Sequence, residues 1–251
     1  MDRFIFFGVH VNAVNLEMVF NEIIKYDFSK VSYVSFPDAF VITQAPKDES
    51  LMDVLNNSYL TVPDGKMTEL YARRKGYKDV STVSGYWLCK KLLDTELTHY
   101  FLGSTPERLE KIKENIQKEF PNAKVLGYSS PPMKALSFFE EGNVLQKELE
   151  EINRLKPDLI WVGLSSPKQD YLIKYHVPVL KHGLMLGVGG VFDYLSGDVK
   201  KSPEWIKKIG LRWVWRFLKE PRRMIVKDVA IFKMLFVLIF GEFLKRLNKQ
   251  K

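Results

Sequence analysis

The sequence predicts an α/β domain, in which a mostly parallel sheet carries helices on both faces, followed by a helical C-terminal appendage. Short apolar runs typical of buried strands recur through residues 1–199, and most are separated by stretches with helical spacing. Near Lys200 the composition changes, and the chain becomes basic and rich in tryptophan. We therefore expect an α/β core over residues 1–199 and an appendage over residues 200–251.

The expected strands are the apolar runs, taken in chain order. They are Arg3–Val9, Val31–Phe36, Tyr59–Val62, His99–Gly103, Ala123–Gly127, Asp158–Gly163 and Gly183–Val188. The first run is interpreted as a strand rather than a signal peptide, because it has no basic start and no cleavage site. Glu107–Phe120 illustrates the helices, since its apolar residues share one face and Thr105 and Pro106 suit the N-cap and the first helical position.

The positive charge of the chain is concentrated in the appendage. Residues 200–251 hold fifteen Lys and Arg and four acids, a net charge of +11, whereas the rest of the chain carries −3. A positive field confined to one region predicts an anionic surface or ligand on that side. The apolar run Val229–Leu244 is shorter than the roughly 20 residues of a spanning helix. A membrane helix lying in the lipid interface is favoured, and a spanning or re-entrant helix, or one docked on protein, stays open.

Several absences narrow the chemistry. The single cysteine, Cys89, excludes an intramolecular disulfide, and the four histidines have no metal-ligand spacing. His99 opens an apolar strand and is interpreted as a structural residue. No Asp-x-Asp pair, Walker A loop or GxSxG elbow occurs in the sequence. We therefore expect neither a metal nor a cofactor.

The segment VPDGK, Val62–Lys66, places a carboxylate directly after a strand. Asp64 is a candidate general base at the edge of the sheet where α/β enzymes gather catalytic groups. Pro-Asp-Gly is also a favoured turn sequence, so an ordinary turn is the alternative.

Two further strand ends are candidate binding loops. In GLSSPKQD, Gly163–Asp170, a serine is expected to cap a helix whose free N–H groups, with Lys168 and Gln169, suit a phosphate. An ordinary capped helix is the alternative. In GVGGVFDYLSG, Gly187–Gly197, close glycines let a ligand approach the backbone, and Asp193 either holds a sugar hydroxyl or closes a turn. The latter segment lacks the spacing of a dinucleotide fingerprint.

Taken in order, these segments resemble the WecG/TagA/CpsF family, glycosyltransferase family twenty-six. The resemblance covers roughly residues 4–225 and also includes FLGSTPE (Phe101–Glu107), KKSPEW (Lys200–Trp205) and GLRWVWRFLKEPRR (Gly210–Arg223). It implies a Rossmann-like core and an inverting, metal-independent transfer of an N-acetylmannosamine-type sugar or related hexose. The implied donor is a UDP-sugar, and the implied acceptor is a polyprenyl-diphosphate-linked sugar used in teichoic acid, common antigen, capsule or exopolysaccharide synthesis.

The resemblance also implies site residues and a location. Asp64 matches the proposed base, and the protein is expected on the cytoplasmic, inner face of the membrane, with homo-oligomer formation left open. The residues expected to bind substrates are Asp38, Gly65, Lys66, Lys168, Gln169, Gly189, Gly190, Asp193, Arg216, Arg222 and Arg223. Two departures from the family pattern place Phe36 and Trp87 where polar pocket residues are common, and they suggest sugar recognition by stacking.

Two other classes of function fit parts of the sequence. A pI near 9.3 and the tail tryptophans would suit a nucleic-acid binder, although the core is acidic. The α/β pattern with a glycine-rich loop would suit a nicotinamide-dependent oxidoreductase, although the fingerprint is missing. We favour the transferase, and we expect no nucleic acid as a partner.

Overall fold

The computed structural model describes residues 1–131 and 145–199, together with four isolated positions at 215, 232, 234 and 236. The strands are β1 (Arg3–Phe6), β2 (Val9–Asn12), β3 (Ser32–Ser35), β4 (Leu60–Thr61), β5 (Thr98–Gly103), β6 (Lys124–Ser129), β7 (Leu159–Gly163) and β8 (Leu184–Gly187). Six of them form a sheet in the order β4-β3-β8-β7-β5-β6, in which every pairing is parallel. The predicted parallel α/β sheet is confirmed.

Helices cover both faces of this sheet. They are α1 (Leu16–Ile24), α2 (Ala39–Gln44), α3 (Glu49–Asn56), α4 (Lys66–Arg74), α5 (Gly85–Leu93), α6 (Pro106–Glu119), α7 (Gln146–Leu155), α8 (Lys168–His176) and α9 (Val191–Leu195). On one face, α1, α5, α6 and α9 pack over Phe101 and Trp161. On the other face, α7 and α8 pack over Ile160 and Met185. Both faces of each central strand are thus buried, as the apolar runs predicted.

The first predicted strand is wrong in extent, and it does not belong to the six-stranded sheet. Residues 3–12 form an antiparallel hairpin, in which β1 pairs with β2 and Phe6 lies opposite Val9. Phe7 and Gly8 both have positive φ angles, 52° and 82°, as a tight two-residue hairpin turn requires. The turn divides the run Arg3–Val9, and the hairpin stands apart from the main sheet.

The sequence predictions for α6 and for His99 are confirmed. The Thr105 side chain caps α6 by accepting from Arg108 N, and Pro106 is the first helical residue. The His99 side chain is fully buried, and its Nδ1 accepts a hydrogen bond from Trp161 Nε1 at 3.1 Å. His99 therefore packs in the core.

A third apolar cluster, which we call the hairpin cluster, joins β1 and β2 to α2, α3 and α4. It contains Phe4, Phe6 and Ala72, and Met234 of the appendage is completely buried in it. Residues 215, 232, 234 and 236 are helical, and the rest of the predicted appendage lies outside the described residues. None of the helices in the described ranges has the length and apolar character that crossing a bilayer requires.

Candidate active site at the carboxyl edge of the sheet

The predicted site loops leave the same edge of the sheet. Ser35 pairs in register with Thr61 on one side and with Gly187 on the other, and Gly187 pairs with Val162. Because these strands are parallel, the chain leaves all four of them at the carboxyl edge, where ligands of open α/β sheets bind. The segments GLSSPKQD and GVGG therefore begin on the adjacent strands β7 and β8, and VPDGK begins at the same edge on β4, beyond β3.

The Asp64 loop connects β4 to α4. Val62 N donates to Ser35 O at 3.0 Å, which continues the sheet one residue beyond β4. Asp64 is half-buried and lies two residues before α4, and Gly65 between them has a φ of +129°. The carboxylate thus stands on a short turn between two well-anchored elements, where it contacts both solvent and protein.

Glu69 holds the first turn of α4 and was not foreseen from the sequence. Its buried carboxylate lies 2.5 Å from Lys66 Nζ and 3.3 Å from Arg73 Nε, and it accepts from Thr82 N at 3.0 Å and Thr82 Oγ1 at 2.8 Å. Burial raises the pKa of Glu69, but the hydrogen bonds from Lys66 and Thr82 outweigh it and hold the pKa below its ordinary value. Lys66, predicted to bind substrate, is engaged by this acid three residues along the helix, a spacing that signals an ion pair.

The segment 82–85 joins the Asp64 loop to the glycine-rich loop. Val83 N donates to Pro63 O at 2.9 Å, directly beside Asp64. Two residues later, a Cβ atom on Gly85 would lie 3.0 Å from Val191 and 3.3 Å from Val188. The Asp64 loop and the loop after β8 are therefore linked through one short, packed segment.

Gln169 locks the loop after β8 to the start of α8. Its side chain is 2% exposed, and Nε2 donates to Gly187 O at 2.8 Å and to Ser166 Oγ at 3.0 Å. A Cβ on Gly189 would lie 3.1 Å from Gln169 Oε1 at a φ of +47°, so only glycine fits this approach. The prediction that a serine caps α8 is wrong. Pro167 occupies the N-cap without a side-chain hydrogen bond, because Ser166 Oγ is used by Gln169.

Two buried polar atoms near Gly187 have no hydrogen-bond partner within residues 1–131 and 145–199. They are Gln169 Oε1 and Ser35 Oγ, both on side chains that are at most 2% exposed. Ser35 pairs with Gly187, whose carbonyl oxygen Gln169 binds. Buried polar atoms in folded proteins nearly always have partners, so a ligand or ordered water is expected there. Ser35 carried no sequence signal, since a serine ending a strand is unremarkable.

The structure gives Asp193 and Asp38 partners within the protein. Asp193 is 3% exposed and forms an ion pair with Arg108 of α6 at 2.9 Å. Arg108 also binds Asp198, and together with Lys111 it lowers the pKa of that carboxyl to about 2. Asp38 caps α2 by accepting from Val41 N at 3.0 Å. Their predicted binding of substrate stays a prediction, now beside a structural role.

The remaining predicted residues divide into two groups. Gly190 is the residue before α9, and Lys168 is the first, half-buried residue of α8. Both lie at the carboxyl edge, next to Gly189 and Gln169 respectively. Arg216, Arg222 and Arg223 lie outside the described residues.

The connections also place a topological switch point between β5 and β7. The chain leaves β5 for α6 on one face of the sheet and leaves β7 for α8 on the opposite face. Adjacent parallel strands with opposite exits form the switch point at which such sheets bind nucleotides. Gly103 and Gly163, the last residues of these strands, are register partners, and a Cβ on Gly103 would lie 2.8 Å from the Gly163 backbone. The switch point thus lies where the chain leaves β7 toward Pro167, Lys168 and Gln169.

Comparison with known proteins decides the family. The profile described as the Glycosyl transferase WecG/TagA/CpsF family matches residues 4–249. The chain belongs to this family. It is therefore a glycosyltransferase, as its segments predicted, and the nucleic-acid and nicotinamide alternatives lose their support.

Two similar relatives carry the same name, N-acetylglucosaminyldiphosphoundecaprenol N-acetyl-beta-D-mannosaminyltransferase. The protein from Bacillus subtilis (strain 168) is 29% identical over 183 residues, which are 71% of this chain and 68% of that protein. The protein from Staphylococcus aureus (strain MW2) is 25% identical over 234 residues, covering 88% of this chain and 86% of that protein. Both are named for the transfer of an N-acetylmannosaminyl group.

The two aromatic departures from the WecG/TagA/CpsF pattern have different surroundings. Phe36 is 6% exposed and packs in the apolar cluster beneath α1, α5, α6 and α9, so its ring contacts protein. Trp87 is 37% exposed on α5, where its ring meets Tyr86 edge-on at 5.2 Å. Of the two, only Trp87 presents an exposed ring.

Proposed function

We propose that this chain transfers an N-acetylmannosamine-type sugar, or a related hexose, from a UDP-sugar to a polyprenyl-diphosphate-linked sugar, with inversion and without a metal. Asp64 is the general base. The family membership gives the reaction class, and the names of the two relatives suggest the transferred sugar and the acceptor.

One observation carries this proposal: the three candidate loops form a continuous chain of contacts. Pro63 binds Val83, Gly85 packs against the loop after β8, and Gln169 binds that same loop. Asp64, the glycine-rich loop and the start of α8 are thereby linked along one edge of the sheet, which supports a shared role. These are the parts that a transfer from a nucleotide donor requires.

The proposed reaction is a single displacement. An acceptor hydroxyl gives its proton to the Asp64 carboxylate as its oxygen bonds to the anomeric carbon of the donor. The bond from that carbon to UDP breaks, and its electron pair leaves on the phosphate oxygen. Because the acceptor enters opposite the leaving group, the configuration at this carbon inverts.

The leaving diphosphate needs positive charge as the bond breaks. Lys168 at the start of α8 supports this role from the core, since the positive end of a helix dipole attracts anions. Lys168 N and Asp170 N donate to the carbonyls of Ser165 and Pro167, so the helix contributes through its dipole. Arg216, Arg222 and Arg223 are proposed to supply further charge from the appendage. Gln169 and Ser35, whose buried side-chain oxygens have no hydrogen-bond partner among the described residues, are suited to bind the donor or a water beside it.

The proposal that no metal takes part rests on two features, which are the lack of grouped carboxylates and the cations just named. The sequence contains no Asp-x-Asp pair, and no group of three or more metal-ligating side chains occurs among the described residues. Lysine and arginine side chains are then the groups left to stabilise the leaving diphosphate. No cofactor enters the proposed reaction.

We also propose that the reaction takes place at the cytoplasmic, inner face of the membrane. A polyprenyl-linked acceptor is held in the bilayer, and the appendage carries +11 in 52 residues, as expected for contact with anionic headgroups. The tryptophans Trp205, Trp213 and Trp215 suit the interface.

Replacing the proposed base tests the function. Asp64→Asn keeps the size of the side chain but removes the proton acceptor, and we expect turnover to fall by about 10²- to 10⁴-fold. UDP affinity, measured by calorimetry, and the free energy of unfolding should stay near their wild-type values. Asp94→Asn, at an exposed acid that follows α5, is the matched control and should keep full turnover. Wild-type rates in Asp64→Asn would refute the assignment of the base.

Turnover is to be measured by mass analysis of products from a screen of UDP-sugars with a polyprenyl-diphosphate-sugar acceptor in detergent. A product that gains an N-acetylhexosamine supports the proposed donor class. Product formation with a different hexose would keep the reaction and correct the donor.

A further inference from the structure

The end of α4 carries a group of exposed cations that belongs to the core rather than to the appendage. Between residues 66 and 79 the chain holds five Lys or Arg and two acids, Glu69 and the exposed Asp79. Lys66 and Arg73 are engaged by Glu69. Arg74, Lys75 and Lys78 are exposed. The core therefore has a local positive surface despite its net charge of −3.

Aromatic contacts fix this group of cations on the hairpin cluster. Tyr71 stacks on Phe6 with 4.3 Å between ring centroids, and Lys75 Nζ lies 5.6 Å from the centroid of the Tyr71 ring. Tyr77, next to Lys78, packs 5.6 Å from Phe4. The end of α4 is thus rigidly held against β1.

The appendage reaches the same cluster with apolar side chains on its outer side. Met234 is completely buried in the hairpin cluster, whereas Phe232 and Phe236 are 60% and 56% exposed. Residues four apart lie on one side of a helix, and the residue midway lies on the other. Since a helix is roughly 10 Å across, these two phenylalanines lie within about one helix diameter of the hairpin cluster. Leu70, 40% exposed on α4, adds apolar surface beside Arg74, which lies one turn further along that helix.

We propose that Leu70, Arg74, Lys75 and Lys78 of the core form, with Phe232 and Phe236, one surface that contacts a membrane of anionic lipids. We call it the α4 surface. Cations beside exposed aromatic and aliphatic side chains are the combination that binds the headgroup region, with the charges on phosphate and the rings below it. The inference rests on the proposed function, because it is the lipid-linked acceptor that brings the enzyme to a bilayer.

The α4 surface would also set the height of the active site above the lipid. The helix starts two residues after Asp64 and ends at Arg74, so its nine residues span about 13 Å. Contact between the far end of α4 and the headgroups would hold the Asp64 loop within about one such length of the lipid. An acceptor sugar carried on a diphosphate projects into that space.

Stabilisation of α4 through its helix dipole would explain some of the cations of the α4 surface but not all of its residues. Basic residues in the last turn of a helix interact favourably with its dipole, which applies to Arg73 and Arg74. Lys78 lies beyond the helix, and exposed Leu70 has no part in such an interaction. The dipole effect also acts equally in the absence of lipid, which separates the two explanations by experiment.

Vesicle binding by the full chain tests the proposal. The double variant Arg74→Gln/Lys78→Gln is compared with Lys118→Gln/Lys147→Gln, which removes the same charge from exposed positions on α6 and α7. Partition is measured by co-sedimentation with phosphatidylcholine vesicles that contain about 30% phosphatidylglycerol, in about 0.1 M salt. Each cation at the surface contributes about fivefold, so we expect roughly 30-fold weaker partition for the first variant and less than about twofold for the second.

Transfer to a detergent-dispersed acceptor gives the second measurement. Arg74→Gln/Lys78→Gln should keep wild-type turnover there, because neither side chain belongs to the proposed active site. Equal partition of the two double variants would overturn the α4 surface and leave the proposed function standing. The proposal would also be overturned if Arg74→Gln/Lys78→Gln lost as much partition on vesicles of phosphatidylcholine alone as on the anionic vesicles, because the loss would then not depend on lipid charge. Absence of turnover in the wild-type chain would instead refute the proposed function, and the partition results would still decide whether lipid binds here.

Discussion

At the scale of single residues, the contact between Gly189 and Gln169 shows how the site is assembled. The side-chain amide of Gln169 donates hydrogen bonds to the Gly187 carbonyl and the Ser166 hydroxyl, and its oxygen faces Gly189. A side chain on Gly189 would meet that oxygen and the Leu164 carbonyl, each at 3.1 Å. The glycine is thus needed for the close approach of two loops as well as for its backbone angle.

We predict that Gly189→Ala weakens UDP binding by at least about tenfold, because the loop after β8 must move away from Gln169. Its positive φ should also cost about 1 kcal/mol of unfolding free energy. Gly76→Ala is the matched control, since Gly76 has a φ of +97° with open space around its Cβ position. Calorimetry with UDP and urea unfolding should show a stability loss in both variants and a binding loss only in Gly189→Ala. Equal UDP affinity in the two would contradict this account.

His99 is a residue whose burial makes stability depend on pH. Burial lowers its pKa to about 4 from the ordinary 6.5, because the charged ring would lose its hydration. The unfolded chain therefore takes up a proton near pH 6.5 that the folded chain refuses until about pH 4. This contribution to stability is complete above pH 6.5 and is lost as the pH falls toward 4.

From this difference we predict that the free energy of unfolding falls by about 2 kcal/mol between pH 7.5 and pH 5 through His99 alone. His99→Gln keeps an acceptor for Trp161 Nε1 and should abolish that part of the decline. His10→Gln, at an exposed histidine, should leave the decline unchanged. Urea unfolding at the two pH values measures all three proteins. A similar decline in His99→Gln and wild type would show that other groups cause it.

The residues missed from the sequence share a physical reason. Glutamate is usually exposed in folded proteins, yet Glu69 is buried, with Lys66, Arg73 and Thr82 around its carboxylate. Ser35 becomes notable only through its pairing with Gly187. The contact of Glu69 with Thr82, thirteen residues along the chain, and the pairing of Ser35 with another strand depend on the fold, whereas Asp64 and Gln169 stood out by their positions after strands.

At the scale of elements, α6 holds the last described part of the core in place. Arg108 joins α6 to Asp193 of α9 and to Asp198, Lys111 binds Asp198, and Asn115 Nδ2 donates to Leu195 O at 2.8 Å. Together these contacts position the end of the glycine-rich segment, from which the chain continues into the appendage.

Arg108→Met should therefore lower the free energy of unfolding by about 3 kcal/mol, since it removes the guanidinium from a buried carboxylate. Lys113→Met, which breaks a surface pair with Glu110 at 3.9 Å, should cost less than about 0.5 kcal/mol. The double variant Arg108→Met/Asp193→Asn should lose less than the sum of its single changes, because the buried charge is gone. Additive losses in urea unfolding would argue against a coupled pair.

Element prediction succeeded where the signal was local. The cap and the apolar face of α6 lie within about sixteen residues of sequence, and both are observed. The hairpin was missed because its apolar residues run on through the turn. The left-handed Phe7 and Gly8 interrupt the strand without a change in hydrophobicity. The expected serine cap of α8 was wrong because Ser166 binds a side chain instead.

At the scale of the whole molecule, the net charges of the core and the appendage do not show where the exposed cations lie. The sequence places +11 in residues 200–251 and −3 in the remainder, which suggested that positive charge belongs to the appendage alone. The structure gathers Arg74, Lys75 and Lys78 at the exposed end of α4, on the cluster that also buries Met234. The appendage thus contacts the core at the hairpin cluster, next to a group of exposed cations that the net charge of −3 does not reveal.

The sequence by itself determined the α/β class, the order of the strands along the chain, the family and the loops that hold the candidate groups. These properties depend on local hydrophobic period and on ordered short segments. Only the tertiary structure decided the strand order β4-β3-β8-β7-β5-β6, the burial of Glu69 and the contact of Gln169 with Gly189. Each of these depends on packing between residues far apart in sequence, whose energies appear only when the chain is folded.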